Sequence, residues 1–355
     1  MERGFSFSRP SAPMSKNTVL IISNSGDLHA DLVAPLLAMR GMQCFRIDLD
    51  TFPRDYQLSQ RFMHGALHGR LRHLPSGAQV GLHDIGAVWN RKSGEFAFPS
   101  TDLAPQELAY AQQESEQALF GLLYTIDCFW MSHPTALRGA NWKGEQLQRA
   151  MCQGFRVPAS IVTNDPGEAR AFLSALPGEG IFKSLSSPLL GADRVDEDER
   201  IVNGLATTLV TQEMLDCLDA VGELACHFQE YIPKQYELRV TVIGERVFAA
   251  RIDSQDDERT RVDCRDMSAE VRYSAVQLPP EIEQRCRSFV RSYGLAFSAL
   301  DLIVTPEGDY VFLENNSCGQ FLFIEQLVPE YRLLEAVADL LCKECACRQQ
   351  STLQR

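Results

Sequence analysis

Residues Thr18 to Ser23 (TVLIIS) form an unbroken apolar run of strand length. A run of that kind is buried on both faces, which is the signature of a parallel strand covered by helices. A helical stretch follows from Asp27 to Arg40, Gly41 ends it, and Gln43 to Ile47 reads as a second strand. This βαβ opening commits the chain to a layered α/β fold. The turn Asn24-Ser25-Gly26-Asp27 lacks the G-x-G-x-x-G spacing of a dinucleotide site. His64 to Arg72 reads as a hairpin arm and Gly86 to Asn90 (GAVWN) as another buried strand. Arg91 and Lys92 follow that strand, at the end where open α/β sheets collect ligands; a solvated turn is the plainer account of them. With the amphipathic helix Pro105 to Thr125, these pieces make a first domain over residues 16–130. The stretch before it, 1–15, reads as a disordered tail without the apolar core of a signal peptide.

Bulk properties remove several function classes. The 355 residues carry a net charge of −13, which argues against a nucleic-acid partner. No apolar run is long enough to span a bilayer, so no membrane role is expected. Eleven cysteines without a secretory signal point to free thiols in a reducing, cytoplasmic setting. Cys342, Cys345 and Cys347 are the densest group, but no second ligand pair at zinc spacing accompanies them.

Beyond residue 130 two further α/β units are expected, 131–210 and 211–345, with a tail over 346–355. The first has a helix from Asn141 to Gln153 carrying Lys143, a strand from Val157 to Thr163, a helix from Glu168 to Leu176, and a strand Gly180 to Ser184 carrying Lys183. The acidic, irregular stretch Ser186 to Arg200 reads as a mobile loop. The second has a strand His227 to Ile232, a hairpin Glu237–Ile243 with Arg246–Asp253 around Gly244-Glu245, a helix Pro280 to Tyr293, and a second hairpin Ala296–Val304 with Tyr310–Glu314. Tyr331 to Cys345 is the closing helix.

That last hairpin holds the strongest constellation, Asp301, Glu314 and Asn316. A four-residue turn Pro306-Glu307-Gly308-Asp309 would set Thr305 opposite Tyr310, Ile303 opposite Phe312 and Asp301 opposite Glu314. Opposed side chains share a face about 5 Å apart. Asn316, two residues beyond Glu314, points the same way. Two facing carboxylates repel unless a cation lies between them, and three hard oxygen donors suit Mg²⁺. An exposed hairpin with acids toward solvent is the alternative, but Leu302, Val304, Val311 and Leu313 give the other face an apolar, buried character. Lys183 on an apolar strand needs an anion, and Lys143 near a helix start is well placed for phosphate; taken singly, each such lysine is more often a surface residue.

The run Gln229-Glu230-Tyr231-Ile232-Pro233, followed by Glu237-Leu238-Arg239-Val240, completes a pattern that resembles the ATP-grasp superfamily. Lys143, Lys183, Glu230, Glu237 with Arg239, Asp301, Glu314 and Asn316 occur in that family's order, over about residues 131–340. Closer still, Arg156-Val157-Pro158, Ile161 to Asp165, Arg239 to Gly244, Ala249 to Gln255, Asp263-Cys264-Arg265 (where Asp-Trp-Arg is commoner) and Gly319 to Leu322 look like the microviridin-type peptide maturases that make graspetides. The leading domain, with Trp89-Asn90-Arg91-Lys92, is similar to theirs but less specific.

The resemblance implies an N-terminal pre-ATP-grasp α/β domain followed by a two-lobed ATP-grasp fold, with ATP and Mg²⁺ as cofactors. It implies phosphate contacts from Lys143 and Lys183, adenine contacts from the backbone of Tyr231 and Ile232 with Glu230 near the amino group, and ribose contacts from Glu237. Asp301, Glu314 and Asn316 would hold Mg²⁺. Arg239, Arg251 and Arg265 would meet the substrate carboxylate or the migrating phosphate, because arginine forks match such oxyanions. The loop from Ser184 to Thr208 departs from many ATP-grasp enzymes in lacking a G-x-G cradle, although Thr207-Thr208 matches the maturase subgroup. The expected partner is a precursor peptide with a leader and an acidic core, macrocyclised through side-chain esters or amides; homodimerisation is left open. A ligase of free amino acids or short peptides, or a nucleotide-binding regulatory protein without turnover, are the alternatives.

Overall fold

Every residue of β1 (Thr18–Ser23) is buried, as its apolar run requires. The computed structural model describes residues 16–186, 207–265 and 269–353, with side chains described through residue 347. The expected N-terminal tail and most of the 186–200 loop therefore lie outside the described residues. Two compact units emerge. One runs to Pro134 and includes the chain from Arg332; the other is Thr135–Tyr331.

In the first unit β1 leads into α1 (Leu28–Met39) and β2 (Gln43–Asp48). A hairpin of β3 (Tyr56–Met63) and β4 (Ala66–His73) is joined by the short β5 (Gln79–Gly81). β6 (Ile85–Asn90), α2 (Pro105–Leu123) and β7 (Phe129–Met131) complete it. The main sheet is parallel in the order β2-β1-β6-β7, as the βαβ opening dictates. The C-terminal helix, Leu333–Leu353, packs on β6 and α1, with Ala338, Leu341 and Cys345 buried. It was expected at the end of the last unit, stopping near Cys345 with a tail beyond. Its apolar residues instead serve the N-terminal sheet, and the helix continues through the expected tail to Leu353.

The second unit holds two antiparallel sheets. After α3 (Pro134–Ala140) and α4 (Lys143–Cys152), the smaller sheet is built from β8 (Ser160–Thr163), β9 (Gly180–Lys183), β10 (Thr208–Leu209) and β11 (Cys226–Glu230), in the order β10-β9-β11-β8. Between β8 and β9, α5 (Pro166–Ala175) starts with proline at its first position. Asp165 caps it by accepting from the Gly167 and Glu168 amides at 2.7 and 3.2 Å. The larger sheet comprises β12 (Tyr236–Ile243), β13 (Arg246–Ile252), β14 (Tyr273–Val276), β15 (Phe297–Val304) and β16 (Tyr310–Asn316), ordered β14-β13-β12-β15-β16. The two expected ATP-grasp lobes thus appear as two sheets within one compact unit.

Register on the last hairpin differs from a symmetric one. The turn spans Thr305 to Asp309, with Gly308 at φ +91° and its amide donating to the Thr305 carbonyl at 2.9 Å. Val304, not Thr305, therefore pairs with Tyr310, and Ile303 pairs with Val311. A bulge at Leu313 absorbs the offset and restores the pairing of Asp301 with Glu314. The bulge also re-sorts the apolar side chains. Leu302, Val304 and Phe312 enter the main core, whereas Val311 and Leu313 join Ile232 and Ile303 on the opposite face. Phe312 is fully buried, with ring centroids 5.0 Å from Phe289 and 5.8 Å from Phe155. Phe312→Ala should remove about 3–5 kcal/mol of stability from this unit, seen as a lower urea midpoint for its unfolding; an unshifted midpoint would contradict this packing.

Candidate active site

The two sheets of the second unit enclose a cavity of about 830 Å³. Strand alternation decides which side chains reach it. On β12, Glu237 and Arg239 face the cavity side while Tyr236, Val240 and Val242 belong to the core behind, as does Leu238, which also touches the cavity wall. On β15, Asp301 and Ile303 take the cavity side, and Glu314 and Leu313 join them from β16. The smaller sheet contributes Ile181, Lys183 and Gln229.

One end of the cavity is apolar. Ile232, Ile303, Val311 and Leu313 form a small buried cluster there. The hinge beside it is fixed by its own backbone: the Glu230 amide donates to the Ala159 carbonyl at 2.8 Å, and the Tyr231 amide to the Glu179 carbonyl at 2.9 Å. The Glu230 carboxylate accepts from the Ala159 amide at 3.2 Å, and the Tyr231 hydroxyl donates to the Arg261 carbonyl at 3.3 Å.

The other end is densely charged. Asp301 and Glu314 are cross-strand partners, as expected. Arg239 donates to both Asp301 oxygens at 2.7 and 2.8 Å, and Lys143 Nζ lies 2.7 Å from Glu314 Oε2. Asn316 bridges the acids, its amide nitrogen 2.9 Å from Asp301 and 3.2 Å from Glu314. Burial raises the Asp301 carboxyl above the usual carboxylate range; Arg239 opposes the rise and Glu314 adds to it. Burial acts the same way on Glu314, but the ammonium groups of Lys143 and Lys183 outweigh it and hold Glu314 below the carboxylate range. Lys183 is pulled below the usual lysine value by burial first, with Lys143 and Arg265 adding to the fall. The two carboxylates, with the Asn316 amide able to turn its oxygen toward them in place of its nitrogen, make a hard-oxygen donor set that fits Mg²⁺.

Arg265 lines the cavity and forks onto Asp263 at 2.8 and 2.5 Å; Asp263 also accepts from the Thr207 amide at 3.1 Å. Thr207 thus stands at the cavity wall. Arg251 does not join the site. Its cross-strand neighbour is Leu238, so it lies on the core-side face, where it bonds Asp253 at 2.6 Å and stacks 4.1 Å over the Tyr236 ring. Cys264, where a tryptophan is commoner, lines the cavity, and burial pushes its thiol up.

Several site residues escaped the sequence reading. Lys234 is buried, 2.8 Å from Glu237 and 3.1 Å from the Val262 carbonyl. An acid three residues after a lysine was visible; its burial was not. Gln146 is buried and clamps both sides of the Asn315 backbone, accepting from its amide at 2.9 Å and donating to its carbonyl at 3.0 Å. Asn141 accepts from Ser317 at 2.8 Å, so α4 and the segment carrying the acids are fastened on both sides of Lys143.

The MvdD pre-ATP grasp domain family matches residues 18–138. No curated protein sequence matches the chain. A solved structure of a RiPP-associated ATP-grasp ligase from Chryseobacterium gregarium, in complex with ADP and a leader and core peptide, is 31% identical, with a TM-score of 0.83 over 92% of this chain and 97% of that one. The chain belongs to the RiPP-associated ATP-grasp ligases. The macrocyclase MdnC from Microcystis aeruginosa MRC, bound with its precursor peptide MdnA, is 27% identical, with a TM-score of 0.80 over 92% of this ligase and 99% of MdnC. MdnB from the same strain, also a macrocyclase, is 27% identical, with a TM-score of 0.75 over 92% and 99%.

The approach of Arg239 to Asp301 depends on Gly319 in this ligase. A Cβ there would lie 2.8 Å from the Ala299 Cβ, 3.0 Å from Arg239 Nη2 and 3.0 Å from the Asn316 carbonyl. Gly319→Ala should displace the guanidinium and lower ADP formation about tenfold to a hundredfold, while costing about 1–3 kcal/mol of stability. Full turnover in this variant would show that the arginine's placement is not critical.

Proposed function

We propose that this ligase uses ATP and Mg²⁺ to phosphorylate a side-chain carboxylate of a ribosomally made precursor peptide, and that a hydroxyl or amine of the same peptide then captures the acyl phosphate. The observation that carries this reading is the meeting of Asp301, Glu314 and Asn316 with Lys143, Lys183 and Arg239 at the charged end of a cavity whose other end is apolar. In this reading adenine lies against Ile232, Ile303 and Leu313 at the Glu230–Tyr231 hinge. Glu237, braced by Lys234, takes the ribose. Lys143 and Lys183 bind phosphate. Mg²⁺ held by Asp301, Glu314 and Asn316 would neutralise phosphate charge. Arg239 and Arg265 stabilise charge on the substrate carboxylate and the transferred phosphoryl group.

The bookkeeping is simple. A carboxylate oxygen bonds to the γ-phosphorus and ADP leaves; the nucleophile bonds to the acyl carbon, phosphate leaves, and one proton is released. Four cations gathered around the acids, in a chain of net charge −13, would favour an acidic core segment. The peptide class is supported by the relatives solved with leader, core or precursor peptides.

Incubation of the ligase with its precursor, ATP and Mg²⁺ should give peptide lighter by one water per bond, with stoichiometric ADP. Mass gain from a joined free amino acid would replace this reading with a short-substrate ligase. Asp301→Asn and Glu314→Gln should each lower turnover on the order of 100-fold or more, with unchanged circular dichroism. Lys183→Ala should weaken ADP binding more than Lys143→Ala in calorimetric titration, because burial pulls the Lys183 ammonium below its usual value while Lys143 already has the Glu314 carboxylate at 2.7 Å.

A further inference from the structure

β11 carries one residue that neither the core nor the assigned site uses. Along this strand Phe228 turns into the cluster with Ala169, Leu218 and Val221, and Gln229 lines the cavity. His227, two residues before Gln229, therefore shares its strand face, although it is covered and is not itself among the residues that line the cavity. Its cross-strand neighbour is Lys183, as Ile181 is that of Gln229. Passing along β9 and β11 from the hinge toward Lys183 leads from the apolar end of the cavity to the charged end. His227 lies beside Lys183 on that face, within the field of Lys183 and Lys143.

The imidazole is 3% exposed, and among the described residues neither ring nitrogen has a hydrogen-bond partner. Buried polar groups in folded proteins are nearly always paired, and a strand position that needed only packing would take Val or Phe. Burial, and then the charges of Lys183 and Lys143, hold the ring's pKa down to about 4, so at neutral pH it is uncharged and keeps one N–H to donate. The two lysines are donors only and cannot accept that hydrogen. The acceptor that belongs at this end of an ATP-grasp cavity is a nucleotide phosphate oxygen.

We propose that His227 is a further nucleotide-binding residue, a neutral imidazole that donates an N–H to a phosphate oxygen beside Lys183. The inference rests on the placement of ATP phosphates at Lys143 and Lys183. A neutral donor at this point adds a directed hydrogen bond without another buried charge between two lysines.

Calorimetric titration of the whole protein with ADP and with adenosine tests it. His227→Phe should weaken ADP binding about tenfold and leave adenosine affinity unchanged; His227→Gln, which keeps an N–H donor, should recover much of the loss. Unchanged ADP affinity in His227→Phe, or equal losses for ADP and adenosine, would overturn the proposal, the second outcome marking a merely structural residue. Failure of the unaltered protein to bind ADP would instead remove the nucleotide reading itself. Should His227→Phe not fold, the imidazole nitrogen-15 signals of the unaltered protein decide. The His227 N–H is expected to shift with ADP and not with adenosine, and no ADP-dependent shift would sink the assignment.

Discussion

Two carboxylates set opposite each other on adjacent strands are the constraint from which the second unit is best understood. Asp301 and Glu314 could not remain as neighbours in a buried place without countercharge, since burial and mutual repulsion both push toward protonation. Arg239 takes one and Lys143 the other, and Asn316 donates to both. Each of these partners is in turn fixed. Arg239 comes from the central strand of the larger sheet, and Gly319 leaves it room. Lys143 opens α4, whose Gln146 grips the backbone of Asn315 between Glu314 and Asn316. The charged centre and the fold around it are therefore one construction, and the stability cost of the acids is offset by the same groups to which the proposed function gives chemical roles.

Much of this could be read from the sequence because local rules and tertiary structure agree. The run Thr18–Ser23 has one consistent fate, and the spacing from Asp301 to Glu314 allowed few registers. The register outcome is instructive. A symmetric turn gave the correct acid pair from an incorrect loop, since Gly308 lengthens the turn by one residue and the bulge at Leu313 takes that residue back. Bulges depend on what each face must pack against, and here the bulge moves Val311 and Leu313 to the side of Ile232 and Ile303. No local pattern announces that.

The residues that sequence left unseen share a cause. Lys234 and His227 look like ordinary polar residues until cross-strand neighbours and burial are known. Arg251 shows the reverse error. Its sequence context matched a substrate-binding arginine, yet strand parity puts it opposite Leu238, on the face that carries Tyr236. Arg265 keeps its place at the cavity although it pairs with a neighbouring aspartate much as Arg251 does. A local Asp–Arg pair is thus uninformative about function; the face of the sheet decides.

The ion pairs at the charged end also set the terms on which ligands enter. Lys143 and Arg239 neutralise the acids at the places where a divalent cation would be held, so cation and side chains compete for the same oxygens. A cation that takes Glu314 leaves Lys143 without its acid, beside Lys183, and two adjacent ammonium groups are stable only with anionic charge nearby. Nucleotide phosphate would supply it. Metal and phosphate binding at this centre would therefore support each other, each removing the electrostatic penalty that the other creates, and by linkage the coupling is the same whichever binds first.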